Sequence, residues 1–493
     1  MLAGTAPDAD AERLVILHTN DTHSQIDPDA KGLGGIGRRK VVIDSVRAAE
    51  PNVMLVDAGD AVQGTLYFSL FGGEVEQKMM NRLGYDIQIL GNHEFDNGME
   101  ALGNYLKGVK ADKLTSNYRL DGTPLEGMFK PYTIRRIGNK KVGFLALNLI
   151  PTGMIDPAKS TGVRCLDALD AANAYAWVLC NMEGCDMVVA LTHIGYEDEP
   201  GYSDVDIARG SRDIDVIIGG HSHTRINPAE AKSLPWRVAN QRGDSVLIAQ
   251  TGRGGAYIGE IDLDLDNRKS DYSLIKIDSR LDSRLDPSIA EALAPYRHKV
   301  DSVMNIRIGM AGGEFRPESG LLNLISDAVL TVGTRLDGGR RPDLAIMNKG
   351  GLRTSLAKGP VTKGEIMQVM PFDNHVVVIE LKGDELLKAF DVMASRCGDG
   401  VSGNVSAIYN PTTKKCSEVK INGKSIDPER TYTLATINYL ADGGDYMAPL
   451  KHGKRLAESD NVIYDDIIEL FTSGALRKAS SRVDNTPRMR SSR

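Results

Sequence analysis

The feature that most constrains the fold lies between Leu14 and about Ile277, where short apolar runs alternate with longer amphipathic stretches. The runs Leu14 to Leu17, Val53 to Val56, Ile87 to Leu90, Val142 to Leu147, Met187 to Leu191 and Ile214 to Ile218 are continuous rather than alternating, as strands covered on both faces are. An α/β layered domain, an α/β sandwich, is therefore expected. From Asp286 to Val303 the pattern becomes a charged amphipathic helix with Pro287 in its first turn, which reads as a connector. Beyond it, helical patterns (Leu321 to Val332, Gly383 to Ser395) mix with strands (Val376 to Leu381, Tyr432 to Ile437), so the second part reads as a smaller α+β domain. For a chain of 493 residues two domains are the natural division, with expected bounds of 12–280, a connecting helix at 281–305, and 306–493.

Composition narrows the function by exclusion. With 41% hydrophobic and 25% charged residues the chain is a folding one. Its net charge is -7 and its Lys and Arg are dispersed, which argues against polymeric nucleic acid as a partner. No stretch approaches the roughly 18 consecutive apolar residues of a membrane span. The opening MLAGTAPDADAERL has neither the basic nor the apolar region of a signal peptide, which fits a leader-trimmed sequence or a cytoplasmic start. The five cysteines lack zinc-site spacing; Cys180 with Cys185, or Cys397 with Cys416, could bridge, and free thiols fit Cys165 and the rest equally.

The ends of the apolar runs carry the chemistry. The first leads into Thr19-Asn20-Asp21-Thr22-His23, the second into Asp57-Ala58-Gly59-Asp60, and the third into Gly91-Asn92-His93-Glu94-Phe95-Asp96. Later runs end in Thr192-His193 and in Gly219-Gly220-His221-Ser222-His223. In an α/β sheet the carboxyl ends of the strands share one edge, so groups spread over about two hundred residues can converge there. Five of the nine histidines fall at such ends beside Asp, Asn or Gly, a clustering that chance explains poorly. His18, His298, His375 and His452 stand alone and read as core or surface residues, and Asp57 reads as a structural acceptor. The glycines before Asp60, Asn92 and His221 suit sharp turns. Converging Asp, Asn and His side chains form a donor set for a pair of divalent metals.

In this order and spacing the segments DTH (Asp21 to His23), GD (Gly59, Asp60), GNHEFD (Gly91 to Asp96), TH (Thr192, His193) and GHSH (Gly220 to His223) resemble the signature of calcineurin-like metallophosphoesterases. The resemblance implies that Asp21, His23, Asp60 and His223 hold one metal and Asp60, Asn92, His193 and His221 the other, Asp60 bridging the two. The last ligand varies within the family, which makes His223 the least fixed of the seven. It implies that His93 donates a hydrogen bond to the phosphoryl group or the leaving oxygen, with Asp96 fixing its tautomer. Two such ions would orient and activate a water for in-line attack on phosphorus. Mn, Zn, Co, Fe and Mg all suit these ligands.

The second half carries NKGGLR (Asn348 to Arg353), PFDN (Pro371 to Asn374) and NYLADGGDYM (Asn438 to Met447), which resemble the C-terminal domain of secreted 5′-nucleotidases. Behind a two-metal domain they extend the resemblance to the 5′-nucleotidase family over almost the whole chain. By that resemblance Phe372 and Tyr439 sandwich the base, Arg353 binds substrate, Asn348 and Asn374 surround the base, and Asp445 takes the ribose hydroxyls. Many members have Phe where this chain has Tyr439. Members also often carry a second arginine ahead of the segment that reads here EFRPESGLLNLISDA; only Arg316 stands there, shifted by about one position, which leaves mono-, di-, cyclic and sugar-linked nucleotides open as substrates. The resemblance thus implies metal-dependent hydrolysis of nucleotide phosphate esters, first of all a nucleoside 5′-monophosphate to nucleoside and phosphate, in a periplasmic or secreted setting. A phosphodiesterase for 2′,3′-cyclic nucleotides or nucleotide sugars is the alternative, followed by a non-catalytic nucleotide-binding surface protein. The small-molecule nucleotide is the one partner implied; the sequence does not specify an oligomeric state.

Overall fold

In a computed structural model the chain is described over residues 12–29, 31–197, 201–230 and 232–492. It divides into two compact units. The first runs to Gln63, resumes over Phe71–Pro151 and closes with Ala158–Pro295; the second comprises Gly64–Leu70, Thr152–Pro157 and the chain from Tyr296 onward. The boundary at Pro295 falls inside the helix Pro287–Met304.

The first unit holds two six-stranded sheets. One runs, edge to edge, through Lys269–Lys276, Tyr257–Asp264, Arg13–Thr19, Val53–Asp57, Ile87–Ile89 and Asp112–Leu114. The other runs through Arg237–Ala239, Ser245–Ala249, Val216–Ile218, Met187–His193, Lys140–Asn148 and Tyr132–Ile137. In the first sheet the strands from Arg13–Thr19 to the Asp112–Leu114 edge are parallel and the opposite side is antiparallel; in the second the central strands are parallel and both edges antiparallel. The continuous apolar runs are these central strands, and the reason is burial on both faces: Leu14, Val15, Ile16 and Leu17 are all buried in succession. Thr19 is level with Asp57 in one sheet, and Ile218 with Leu191 in the other. That register delivers the residues after each strand to a common edge.

The second unit is α+β. A five-stranded sheet runs Gly400–Val401, Leu344–Met347, Thr431–Ile437, His375–Lys382 and Lys454–Val462. A four-stranded sheet runs Lys424–Ser425, Lys415–Ile421, Val405–Asn410 and Met489–Ser491. The helix Gly320–Leu336 packs on the five-stranded sheet and buries Leu321, Ile325, Ala328 and Val329 in the core. Among the described residues no helix is long and apolar enough to cross a membrane. All five cysteines are free thiols. Burial pushes the pKa of the partly buried Cys416 thiol up to about 12, away from the thiolate form.

His18 shows how tightly the first sheet is fitted. It lies opposite Gly259 in the antiparallel pair, wholly buried, with its ring 5.7 Å from that of Tyr272. Burial drives its pKa down to about 3, so the ring is neutral. A Cβ at position 259 would come within 1.9 Å of its Nε2. Gly259→Ala should therefore cost about 1–3 kcal/mol of stability by overpacking, measured by urea unfolding, and clearly less in a His18→Ala background. An equal cost in both backgrounds would refute the clash.

Candidate active site

Five of the seven expected metal ligands have left-handed backbone: Asp21 (φ 50°), His23 (47°), Asp60 (54°), His221 (79°) and His223 (54°). For non-glycine residues this costs about 1–2 kcal/mol each and persists only where the surroundings fix it. Here the strand-end loops are bonded to one another. Asp21 N–H donates to the Gly59 carbonyl at 2.9 Å, His23 N–H to that of Asp60 at 3.0 Å, and Ser24 N–H to that of Ala61 at 3.1 Å. His221 N–H donates to the Asp21 carboxylate at 3.0 Å, and His93 N–H to Asp60 Oδ1 at 2.9 Å. Glycine at 91 is required by close approach, since a Cβ there would lie 2.1 Å from Asp60 Oδ1.

The loops bring the side chains into overlapping groups. Asp21, His23 and His223 form one and Asp21, Asp60 and His193 another, each with donor atoms within 4.8 Å of one another. His23 Nε2 and His223 Nε2 are 2.8 Å apart, and 3.9 and 3.6 Å from Asp21 Oδ1. Asn92 Oδ1 lies 3.0 Å from His221 Nδ1. His93 joins a third group with His23 and Asp60, but its Nδ1 lies 2.9 Å from Asp96 Oδ2 and its Nε2 only 4.0 Å from Asp60 Oδ2.

His193 decides what the cluster can hold. Its Nδ1 is 2.7 Å from the Ala58 carbonyl, an acceptor only, so Nδ1 carries the proton. In the neutral ring Nε2 then presents a lone pair to Asp60 Oδ2 at 3.1 Å and to Asp21 Oδ1 at 3.9 Å, with all three residues buried. Lone pairs facing one another at such distances need a cation between them, either a proton or a metal. The electrostatic balance expresses the same demand. Burial works to lower the His193 pKa, yet Asp60 and Asp21 raise it to about 10. Burial likewise works to raise Asp60, and His193, His93 and His23 outweigh it and hold the carboxyl below its usual range. His221 is lowered to about 3 by burial and by His193, which keeps the ring neutral with one nitrogen lone pair unprotonated. Imidazoles, carboxylates and an amide oxygen fit divalent transition metals and magnesium alike.

Several residues with no role in the sequence reading support this cluster. Glu94 accepts from Asp60 N–H at 3.1 Å and Ala61 N–H at 2.9 Å, and also from Gly91 N–H, so one carboxyl fastens two ligand loops. Burial, then Asp60, pushes it up to about 7. Asn20 donates to Asp21 Oδ2 at 2.6 Å and ties it to the Thr251 backbone. Buried Asp204 accepts from Gln250 at 2.7 Å and from Thr192, the neighbour of His193. Of these, Glu94 belongs to GNHEFD and Asn20 to the run Thr19 to His23, and neither segment marks their supporting roles. Asp57 accepts from Thr19 Oγ1 at 2.6 Å and from Gly59 N–H at 3.1 Å, a turn-forming role.

In the second unit, Asn348 Nδ2 donates to Asp445 Oδ2 at 2.6 Å, and the Tyr439 hydroxyl is 3.2 Å from both Asp445 Oδ1 and Asp445 N. Arg396, overlooked in the sequence, bonds the Asp445 carbonyl and the Asp399 carboxylate. The Arg353 guanidinium lies over the Phe372 ring at 5.4 Å. Asn374 heads the strand His375–Lys382, and its carbonyl accepts from Ile463 N–H at 2.7 Å. Arg316 is exposed and paired with Glu314 at 3.1 Å.

Comparison with known proteins matches both parts. Residues 14–225 match the calcineurin-like phosphoesterase model and residues 303–452 the 5′-nucleotidase C-terminal domain model. The chain is 30% identical to the human 5′-nucleotidase, over 90% of this chain and 86% of that protein. It is 28% identical to the trifunctional nucleotide phosphoesterase YfkN of Bacillus subtilis over 95% of its own length, but spans only 35% of that longer protein. The crystal structure of a 5′-nucleotidase precursor from Thermus thermophilus superposes with a TM-score of 0.85 at 29% identity, covering 97% of this chain and 99% of that one.

Removing the Glu94 carboxyl would leave three buried N–H groups without their acceptor. Glu94→Ala should therefore destabilise the protein by about 1–3 kcal/mol or more in urea unfolding, and Glu94→Gln, which keeps an acceptor oxygen, by less. An alanine variant as stable as its parent would show that Glu94 does not hold the loops.

Proposed function

The chain belongs to the 5′-nucleotidase family and is a phosphoric ester hydrolase, and on that premise we propose that it is a two-metal enzyme hydrolysing nucleoside 5′-monophosphates to nucleoside and phosphate. The observation that carries the reading is the buried His193 Nε2 facing Asp60 Oδ2 at 3.1 Å and Asp21 Oδ1 at 3.9 Å. We assign one metal to Asp21, His23, Asp60 and His223 and the other to Asp60, Asn92, His193 and His221. Two divalent ions would neutralise the phosphoryl oxygens and make the attacking water more acidic.

The protein's own groups do the rest. With His93 Nδ1 directed at Asp96 Oδ2, the ring can donate from Nε2 only when it carries both protons. Asp96 stabilises that cation, so His93 can hold a proton for the leaving oxygen. Asn348, Asp445 and Tyr439 bind the nucleoside, with Phe372 and Tyr439 stacking on the base and Arg353 and Asn374 completing the site. We keep an extracytoplasmic setting as part of this proposal. A broader nucleotide phosphoesterase activity draws support from the likeness to the trifunctional YfkN, with cyclic or sugar-linked nucleotides as the alternative substrates, and phosphate release across AMP, ADP, UDP-glucose and 2′,3′-cyclic AMP with added Mn separates the readings.

Two variants test the metal assignment together. Asp60→Asn should lose bound metal and turnover while its circular dichroism stays native, whereas His93→Ala should keep its metal and lose about 10²- to 10⁴-fold in kcat. Metal analysis showing the reverse pattern would make His93 the ligand and exclude Asp60 as the bridge. A third variant tests the base site: Phe372→Ala should lose about 1–3 kcal/mol in kcat/KM for AMP and leave p-nitrophenyl phosphate hydrolysis unchanged. An equal fall with both substrates would make Phe372 a packing residue.

A further inference from the structure

The Tyr439 side chain has a hydroxyl that base stacking does not require. That hydroxyl is 3.2 Å from Asp445 Oδ1 and 3.2 Å from Asp445 N–H. The amide can only donate, so the hydroxyl accepts from it, and its own proton is directed to the carboxylate. The Met154 carbonyl, 3.5 Å away, is the more distant acceptor and carries no charge. Asn348 Nδ2 holds the other oxygen, Oδ2, at 2.6 Å. Asp445 thus has one hydrogen-bond donor on each carboxylate oxygen, with the Arg396 guanidinium 3.8 Å from Oδ2, and its backbone is fixed as well: φ is 51°, left-handed, with the same guanidinium bonded to its carbonyl.

We infer that the Tyr439 hydroxyl is a specificity-determining positioning group, which locks the plane of the Asp445 carboxylate so that it accepts a vicinal diol with both oxygens at once. The inference rests on the proposed nucleoside site. A carboxylate oxygen offers two lone-pair directions, so one donor on each leaves one acceptor position on each. Two hydroxyls on adjacent ribose carbons can use both positions only if the plane is fixed. A 2′-deoxyribose offers a single hydroxyl there, and a carboxylate that has turned about its bond can still accept one hydrogen bond. Preorganisation by Tyr439 therefore favours substrates with both hydroxyls free, which are ribonucleoside 5′-phosphates over 2′-deoxyribonucleoside 5′-phosphates and over nucleotides whose 2′ and 3′ oxygens are esterified.

Tyr439→Phe keeps the ring and removes the hydroxyl alone. The test compares kcat/KM for AMP and 2′-deoxy-AMP in the parent and in the Tyr439→Phe variant, with p-nitrophenyl phosphate turnover and the thermal midpoint as measures of an intact metal site and fold. The AMP to 2′-deoxy-AMP preference should fall about 10-fold, the scale of one hydrogen bond to a charged group, chiefly through KM. A preference within about twofold of the parent's, or an equal loss on all three substrates, overturns the inference. A parent protein that turns over p-nitrophenyl phosphate but neither nucleotide overturns the functional reading instead, so the two failures are told apart.

Discussion

The first unit is organised around a surplus of buried negative charge. Asp21, Asp57, Asp60, Glu94 and Asp204 are all buried, and each lies in or against the loops at the strand ends. Isolated carboxylates at such depth are costly, so each must be protonated, hydrogen-bonded or matched by a cation. The structure sorts them. Asp57, Glu94 and Asp204 are raised by burial to about 7 and spend their oxygens on backbone and side-chain donors. Asp60 stays ionised because imidazoles surround it. Two divalent cations, as proposed, would meet the remaining demand, and binding them would add to the stability of the folded chain.

The same sorting explains the backbone. A loop that places a carboxylate against an imidazole from another strand cannot also choose relaxed dihedrals, and the left-handed residues Asp21, His23 and Asp60 record that conflict. The ladder of N–H to carbonyl bonds between the Asp21 and Asp60 loops holds them there. Rigid strands bring the loops to one edge, and the loops fix one another.

What the sequence revealed follows from this division. The central strands were legible because two covered faces demand unbroken apolar runs, and the ligand-bearing residues were legible because they sit where those runs stop. Glu94 was not, although GNHEFD was noticed, because nothing in a sequence marks a carboxyl turned inward toward three backbone N–H groups. The bond between Asn348 and Asp445 joins residues 97 positions apart, and neither position announces the other. Arg396 sits in a short polar stretch that reads as an ordinary surface turn. Left-handed Asp and His could not be read either, because what holds them is the neighbouring loop.

The second unit also has a consequence for descent. Besides the chain from Tyr296 onward it includes Gly64–Leu70 and Thr152–Pro157, two short pieces encoded far upstream. A gene fusion that exchanged everything after the connecting helix would transfer most of that unit and leave these pieces behind in the original host. Recombination at the connector is therefore not a clean exchange of that unit.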